Sequence, residues 1–291
     1  MVDSLTSRFC VIGHPIGHSL SPQIHTRVFR HFNLDFSYTA EDVPPSGLEA
    51  FVDAARFGGR PGFNVTIPHK QTILPFLDKL DTLPQRIGAV NTVVNQNGVL
   101  IGYNTDVQGF AHALQMSNWI PAKPVVIMGA GGAARAAMEA LAFKSIRTVN
   151  IVDIDQKKVK LFKSHFEKLH PDLKINVGTL NSPVFKRILK KANLFINATP
   201  VGMWPNVADS PLDPSLLPKT CTVFDMVPKP VSTALIKRAR ILGMKAIPGI
   251  RMLVAQAFES DALFLKRPIP ETLFNDVEDD LLAELEEHVR T

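Results

Sequence analysis

Along this chain, short apolar runs alternate with stretches in which apolar positions recur every three or four residues, and the alternation continues from end to end. The first half predicts strands over residues 9–12, 36–40 and 63–67, helices over 22–32 and 47–57, and a hairpin pairing 89–94 with 99–103. Asn97-Gly98 supports the hairpin, because both residue types tolerate the positive φ of a tight primed turn. A helix over 107–116 leads to Pro121 and Pro124, and these mark a boundary, since proline stops a helix and biases its predecessor toward extended backbone. Beyond it, 125–128, 148–152, 194–198 and 222–226 read as strands and 133–142 as a helix. Strand, helix, strand at this spacing is the grammar of a parallel, doubly wound sheet. Residues 252–264 predict a mostly apolar helix, and Leu281, Leu282, Leu285 and Val289 the stripe of a last amphipathic one. The acidic residues from Glu278 to Glu287 read as the solvated face of that helix.

The pattern therefore predicts an α/β protein, and its 291 residues, 45% of them hydrophobic, suffice for one large domain or two ordinary ones. Cys10 and Cys221 stand far apart, with neither disulfide-framework nor zinc spacing, which fits a reducing cytoplasm. Residues 1–8 carry no targeting segment, and no run approaches the roughly 18 apolar residues that span a bilayer, so no membrane association is expected. The surplus of 5 positive charges is small and scattered, so nucleic acid is not an expected partner. His14, His18, His25 and His69 lie on different predicted elements without the spacing of a helical metal pair, and no metal is expected.

Gly129-Ala130-Gly131-Gly132-Ala133-Ala134 follows a predicted strand and opens a helix, the context that a dinucleotide-binding G-x-G-x-x-A motif requires. Gly129 permits the tight turn, Gly131 lets backbone approach a pyrophosphate, and Ala134 lets helix and strand pack closely. A glycine-rich turn without a ligand is the plainer alternative. At the end of the next strand, the Asp153 carboxylate would accept hydrogen bonds from ribose hydroxyls and repel a 2′-phosphate. NAD is favoured on that ground, with NADP as the alternative because Lys157 and Lys158 lie close by; Asp153 also suits a turn or a helix cap.

The first half concentrates polar residues at predicted strand ends, in residues 13–22 (GHPIGHSLSP), 64–70 (NVTIPHK), 88–92 (GAVNT) and 102–106 (GYNTD). In order and spacing these segments resemble the shikimate dehydrogenase family, and Gly249 with Met252-Leu253-Val254-Ala255-Gln256 resembles its C-terminal signature. The resemblance runs from about Phe9 to Phe264. It implies a two-domain α/β enzyme: a substrate-binding domain of residues 1–107 plus 250–291, a Rossmann-like NAD(P)-binding domain of 108–249, and a cleft between them holding the reaction. It makes Lys70 and Asp106 the catalytic pair, and Ser19, Ser21, Thr66, Asn91, Asp106 and Gln256 the contacts to shikimate. Gly129, Ala130, Gly131, Gly132, Ala133, Asp153, Thr199, Met226 and Gly249 would hold the cofactor, and His18 would organise the serine loop. On their own, Ser21 before Pro22 reads equally as a helix N-cap, and a lone Lys after a strand reads as a solvated surface residue.

Three positions depart from the family pattern. Asp153-Ile154-Asp155 stands where NADP-dependent members carry Asn-Arg-Thr, Pro228 replaces a common tyrosine, and Arg251 a common glycine. The expected activity is reversible hydride transfer between shikimate and 3-dehydroshikimate by a monomer or homodimer. One alternative is an NAD-dependent quinate/shikimate dehydrogenase working in the catabolic direction. Another, of a different class, is a non-catalytic dinucleotide-binding regulatory protein.

Overall fold

A computed structural model describes residues 7–17, 19–122, 124–180 and 182–290. His18, residues 1–6 and the side chain of Val289 lie outside what is described, and with them the readings made for them. Contacts divide the chain into two compact units, Met1–Asp106 with Val254–Thr291, and Val107–Leu253. The chain returns to the first unit at Val254, inside a helix, where the sequence placed the boundary ahead of Ile250.

The first unit begins β1 (Ser7–Gly13), α1 (Ser21–His31), β2 (Phe36–Asp42), α2 (Leu48–Phe57), β3 (Gly62–Val65) and α3 (His69–Thr72). It continues β4 (Lys79–Leu80), α4 (Thr82–Ile87), β5 (Thr92–Gln96) and β6 (Val99–Tyr103). The six strands form one sheet in the order β2-β1-β3-β5-β6-β4, in which β5 runs antiparallel to both neighbours. Asn97 and Gly98 make the β5–β6 turn at φ 54° and 89°. Residues of β1 alternate between two cores: Phe9 and Val11 pack with Phe29 and Tyr38, while Cys10 and Ile12 pack with Phe63, Val65 and Val93. A strand segment buried on both faces needs apolar residues at every position, which is how residues 9–12 of β1 read.

The second unit comprises α5 (Asp106–Met116, whose first residue belongs to the first unit), β7 (Val125–Met128), α6 (Gly132–Phe143), β8 (Thr148–Val152) and α7 (Gln156–Leu169). After these come β9 (Lys174–Val177), α8 (Pro183–Leu189), β10 (Leu194–Asn197), β11 (Thr222–Asp225), α9 (Ala234–Ile241) and β12 (Ala246–Ile247). Its sheet is parallel throughout, in the order β12-β11-β10-β7-β8-β9. The chain winds one way from β7 and the other way from β10, so the topological switch point, where such sheets hold ligands, lies between those strands. Helix α10 (Gly249–Leu265) starts in this unit and ends in the first, and α11 (Glu271–Arg290) completes the first. Among the described residues no helix is long and apolar enough to cross a membrane.

Several features differ from the sequence reading. Glu278, taken as solvated, is 4% exposed, because helical spacing sets it beside Phe274, Val277 and Leu281 on the buried face of α11. Helices α3, α4, α7, α8 and α9 and strands β4, β9 and β12 were not anticipated; α7 buries a narrow stripe of Val159, Phe162 and Phe166 amid its lysines.

Strand β11 ends on Asp225, whose side chain is wholly buried. Its Oδ1 accepts from Asn197 Nδ2 (2.9 Å) and the Val227 N–H (3.1 Å), and its Oδ2 from the Thr233 hydroxyl (2.6 Å). Burial pushes this carboxyl up from 3.8 to about 6, against the opposing pull of the three hydrogen bonds. A carboxyl whose folded-state pKa is raised contributes stability that is complete below its unfolded value and is lost as pH rises through the folded one. At about 1.4 kcal/mol per unit, the loss between pH 4 and pH 7 is on the order of 3 kcal/mol. Asp225→Asn removes the titration while keeping an acceptor oxygen. Melting the two proteins at pH 4.5 and 7.5 should show the variant gaining on the parent at the higher pH, and an equal gap at both would exclude a raised Asp225.

Candidate active site

Lys70 lies in the short helix α3, one strand end away from Asp106, the first residue of α5. Nζ donates to Asp106 Oδ2 at 2.5 Å, in a pair with side-chain exposures of only 16% and 5%. Local structure holds both residues. The Lys70 carbonyl accepts from the Val90 N–H (2.8 Å), and the Asp106 N–H donates to Asn104 Oδ1 (3.1 Å), whose own amide donates to the Ala89 carbonyl (2.9 Å). Asp106 also stands in the first turn of α5, at the positive end of the helix dipole. Lys70 is therefore a paired, largely buried cation rather than a surface residue.

The free side of Asp106 belongs to Asn91. Its Nδ2 donates to Asp106 Oδ1 (3.0 Å), Thr105 Oγ1 (2.8 Å) and Gln256 Oε1 (3.1 Å), while its Oδ1 accepts from the Thr105 N–H (2.8 Å) and the Thr92 hydroxyl (3.0 Å). Four residues predicted for the site, Lys70, Asp106, Asn91 and Gln256, thus form one hydrogen-bonded cluster. Sequence reasoning missed the layer beneath it. The Ser260 hydroxyl lies 2.8 Å from that of Thr92 and 3.1 Å from that of Thr105, and Asn64 Nδ2 donates to Ser260 Oγ (3.0 Å). Asn64 Oδ1 in turn accepts from the Tyr38 hydroxyl at 2.6 Å. A polar residue inside an apolar element, Asn64 in β3 or Ser260 in α10, was the one hint for individual members, and nothing in the sequence joined them.

Ser19 and Ser21 follow β1, and Thr66 follows the neighbouring parallel strand β3. These strand ends are close: a Cβ on Gly13 would lie 2.6 Å from Thr66 Cγ2. Ser21 does not cap α1. It occupies the first helical position, where its N–H donates to Ser19 Oγ (3.3 Å), and the N-cap residue Leu20 makes no side-chain cap hydrogen bond. Among the described residues no group of three or more His, Cys, Asp or Glu is placed to hold a metal ion. His14 pairs with Asp42, His25 with Asp261, and His69 Nε2 with the Val43 carbonyl.

In the second unit the glycine loop sits at the switch point. Gly129 takes φ +106°, and a Cβ there would stand 2.8 Å from the Ala198 carbonyl oxygen and 3.1 Å from Thr199 Cγ2, so only glycine fits. Gly131 is the N-cap of α6, supplies no side-chain acceptor, and has open space where a Cβ would project. The first N–H groups of α6, including those of Gly132 and Ala133, are thus left for an outside acceptor, which fits a pyrophosphate. On the other flank, Thr199 donates its N–H (3.1 Å) and hydroxyl (2.6 Å) to Asn197 Oδ1, and the Met226 N–H donates to the Asn197 carbonyl (2.9 Å). Gly249 packs so closely that a Cβ would meet the Val227 carbonyl oxygen at 2.6 Å. Thr199, Met226 and Gly249 are thus drawn together by Asn197 and Asp225, neither of which was anticipated; each is the polar last residue of an apolar central strand.

Asp153 was expected to offer its carboxylate to a ribose, and its alternative reading as a turn residue is what the geometry shows directly. Oδ2 accepts from the Ala130 N–H (2.8 Å) and Oδ1 from the Asp155 N–H (2.9 Å), so it fastens the glycine loop to the end of β8. Ile154 is 90% exposed, and Asp155 caps α7 by accepting from the N–H groups of Lys157 and Lys158.

Comparison with known proteins gives a consistent picture. A family model described as the shikimate dehydrogenase substrate binding domain matches residues 11–93. A protein of Caldanaerobacter subterraneus named shikimate dehydrogenase (NADP(+)) is 38% identical over 88% of this chain and 90% of its own length. The structure of shikimate 5-dehydrogenase from Thermus thermophilus, in complex with NADP(H) and shikimate, is 32% identical and superposes with a TM-score of 0.80 over 94% of this chain and 98% of that one. Quinate dehydrogenase from Corynebacterium glutamicum, in complex with NAD, is 28% identical with a TM-score of 0.84, covering 96% of this chain and 99% of that one. With sequence identity sustained across both units and the Lys70–Asp106 cluster set among the matching strands, the chain belongs to the shikimate dehydrogenase family.

Proposed function

We propose that this protein is an NAD-preferring shikimate dehydrogenase, interconverting shikimate and 3-dehydroshikimate. The observation that carries this reading is the 2.5 Å contact of Lys70 with Asp106 inside a buried, hydrogen-bonded cluster. Oxidising a secondary alcohol by hydride loss requires a proton to leave the same oxygen, and reduction requires one to arrive. The bound nicotinamide supplies the hydride acceptor or donor. Lys70 holds or moves the proton at the reacting oxygen, and Asp106 keeps the ammonium in place and balances its charge. Asn91, by occupying Asp106 Oδ1, leaves Oδ2 for Lys70. Ser19 and Ser21, with the uncapped start of α1, suit the substrate carboxylate; Thr66, Asn91 and Gln256 suit its ring hydroxyls.

On the cofactor side, the Gly129–Ala130 turn would let the N–H groups of Gly131, Gly132 and Ala133 hold the pyrophosphate, and Thr199, Met226 and Gly249 would hold the nicotinamide half. NAD is preferred because Asp153, although it accepts two backbone N–H groups, has further oxygen lone pairs to offer a ribose. At the next position an exposed Ile154 stands where a guanidinium would clamp a 2′-phosphate. The relative named for NADP(+) and the quinate dehydrogenase solved with NAD bracket the choice. Quinate is a second substrate this reading admits, since Pro228 has no hydroxyl to offer where family members commonly carry a tyrosine.

The deciding measurement is kcat/KM for shikimate and quinate, each with NAD and NADP, read at the reduced-nicotinamide absorbance. Shikimate with NAD should be the best pair, and no turnover with any of the four would overturn the reading. Lys70→Ala should lower kcat by roughly 10²- to 10⁴-fold, the usual worth of a positioned proton donor or acceptor, with a smaller change in the shikimate KM; a variant with full turnover would remove Lys70 from the chemistry. Asp153→Asn combined with Ile154→Arg should swing the NADP/NAD ratio of kcat/KM toward NADP by at least about tenfold, the worth of one charge-assisted hydrogen bond. An unmoved ratio would locate cofactor choice elsewhere.

A further inference from the structure

Outside the Lys70 cluster, the first unit buries a second pair of ionisable side chains, His25 of α1 and Asp261 of α10, both fully excluded from solvent. His25 Nδ1 lies 2.7 Å from Asp261 Oδ1, so the ring donates there and the carboxylate accepts. The remaining polar atom of each, His25 Nε2 and Asp261 Oδ2, has no hydrogen-bond partner among the described residues. The surroundings are aromatic. Tyr38 stacks flat on the imidazole (centroids 4.0 Å apart, planes at 9°), and Phe29 and Phe264 stand 6.4 and 6.3 Å away. Burial drives the Asp261 carboxyl upward, against the lowering effect of His25. Such a pair is a poor source of stability, since well-packed apolar residues of similar volume commonly serve as well or better. What it does supply is a directional tie that apolar packing lacks, fixing one helix against another in a single register.

The two tied positions are not arbitrary. His25 is one helical turn after Ser21, whose hydroxyl the proposed function gives to the substrate carboxylate. Asp261 follows Ser260, which bonds Thr92, Thr105 and Asn64 beneath the Lys70–Asp106 pair, and it comes little more than a turn after Gln256. Tyr38, stacked on the dyad by its ring, reaches the same layer through its hydroxyl on Asn64.

We propose that His25 and Asp261 are a positioning pair for the substrate: their hydrogen bond locks α1 to α10 and so sets the spacing between the Ser21 hydroxyl and the Gln256 carboxamide that grip the two sides of the ring. The inference rests on the shikimate reading of those two residues. Neither His25 nor Asp261 touches the substrate or the reacting atoms. Losing the tie therefore weakens the substrate's grip and leaves proton movement at Lys70 alone.

The test replaces both partners at once, His25→Phe with Asp261→Leu, which keeps the volume and the stacked ring without stranding a charge. This double variant should fold and melt near the parent. Its KM for shikimate should rise by about tenfold, equivalent to one well-placed hydrogen bond, with kcat within about threefold of the parent and the KM for NAD unchanged. Asp261→Asn, which still accepts from the imidazole, should restore most of the shikimate KM. Should the double variant not fold, Asp261→Leu alone breaks the same tie and reads the same ratio. A shikimate KM within twofold of the parent in a folded variant lacking the tie, or equal rises in the KM values for shikimate and NAD, would overturn the proposal. Those outcomes leave the parent active. A parent that turns over neither shikimate nor quinate would instead bring down the functional reading, and this inference with it.

Discussion

The first unit is organised around one carboxamide. Asn91 Nδ2 serves Asp106, Thr105 and Gln256, and its Oδ1 serves the Thr105 N–H and the Thr92 hydroxyl. Its backbone is equally committed: the carbonyl accepts from Val65 and the N–H donates to Tyr103, joining the end of β3 to that of β6. A buried amide costs dearly if any donor or acceptor goes unmet, so a network this complete specifies one arrangement of its members. Lys70 and Asp106 inherit their geometry from it. An aspartate in place of Asn91 would set a second carboxylate against Asp106, and a leucine would remove five hydrogen bonds; either change would reach the Lys70–Asp106 pair through the Oδ1 that Asn91 holds.

The second unit obeys a steric constraint instead. The parallel sheet brings the ends of β7 and β10 side by side, and the backbone of Gly129 passes so close to Ala198 that no side chain can be admitted. That closeness leaves the start of α6 facing outward with its N–H groups unspent. The far flank is fixed by charge rather than by space. Asp225, buried at the end of β11, holds the Asn197 amide, and Asn197 holds Thr199.

How much of this could be read from the residues alone depends on how each element earns its place. Strands β7 and β10, covered on both faces, are unbroken apolar runs and were legible almost to the residue. Helix α7 needs only Val159, Phe162 and Phe166 to bind it to the sheet, so its lysine-rich sequence hid it. Glu278 was misread because its charge suggested water while its spacing from Phe274 and Leu281 dictated burial. Within the site, Lys70, Asp106, Asn91 and Gln256 were found through a resemblance that spans several motifs. Their supporting layer of Asn64, Thr92, Thr105 and Ser260 comes from strands and a helix far apart in the chain, and no local pattern announces such a convergence.

Asp153 combines two duties that a comparison of sequences would treat as separate. The carboxylate that we propose discriminates between cofactors also holds the Ala130 N–H and the turn into α7. Recognition and scaffold therefore share one side chain, and selection acting on either is felt by both. A lineage that drifted from one dinucleotide to the other could not pass through lysine, arginine or alanine here without loosening the loop that holds any dinucleotide at all. Asparagine, which retains one acceptor oxygen and discards the charge, is the narrow route left open, so the history of cofactor use in such a chain is constrained by a turn.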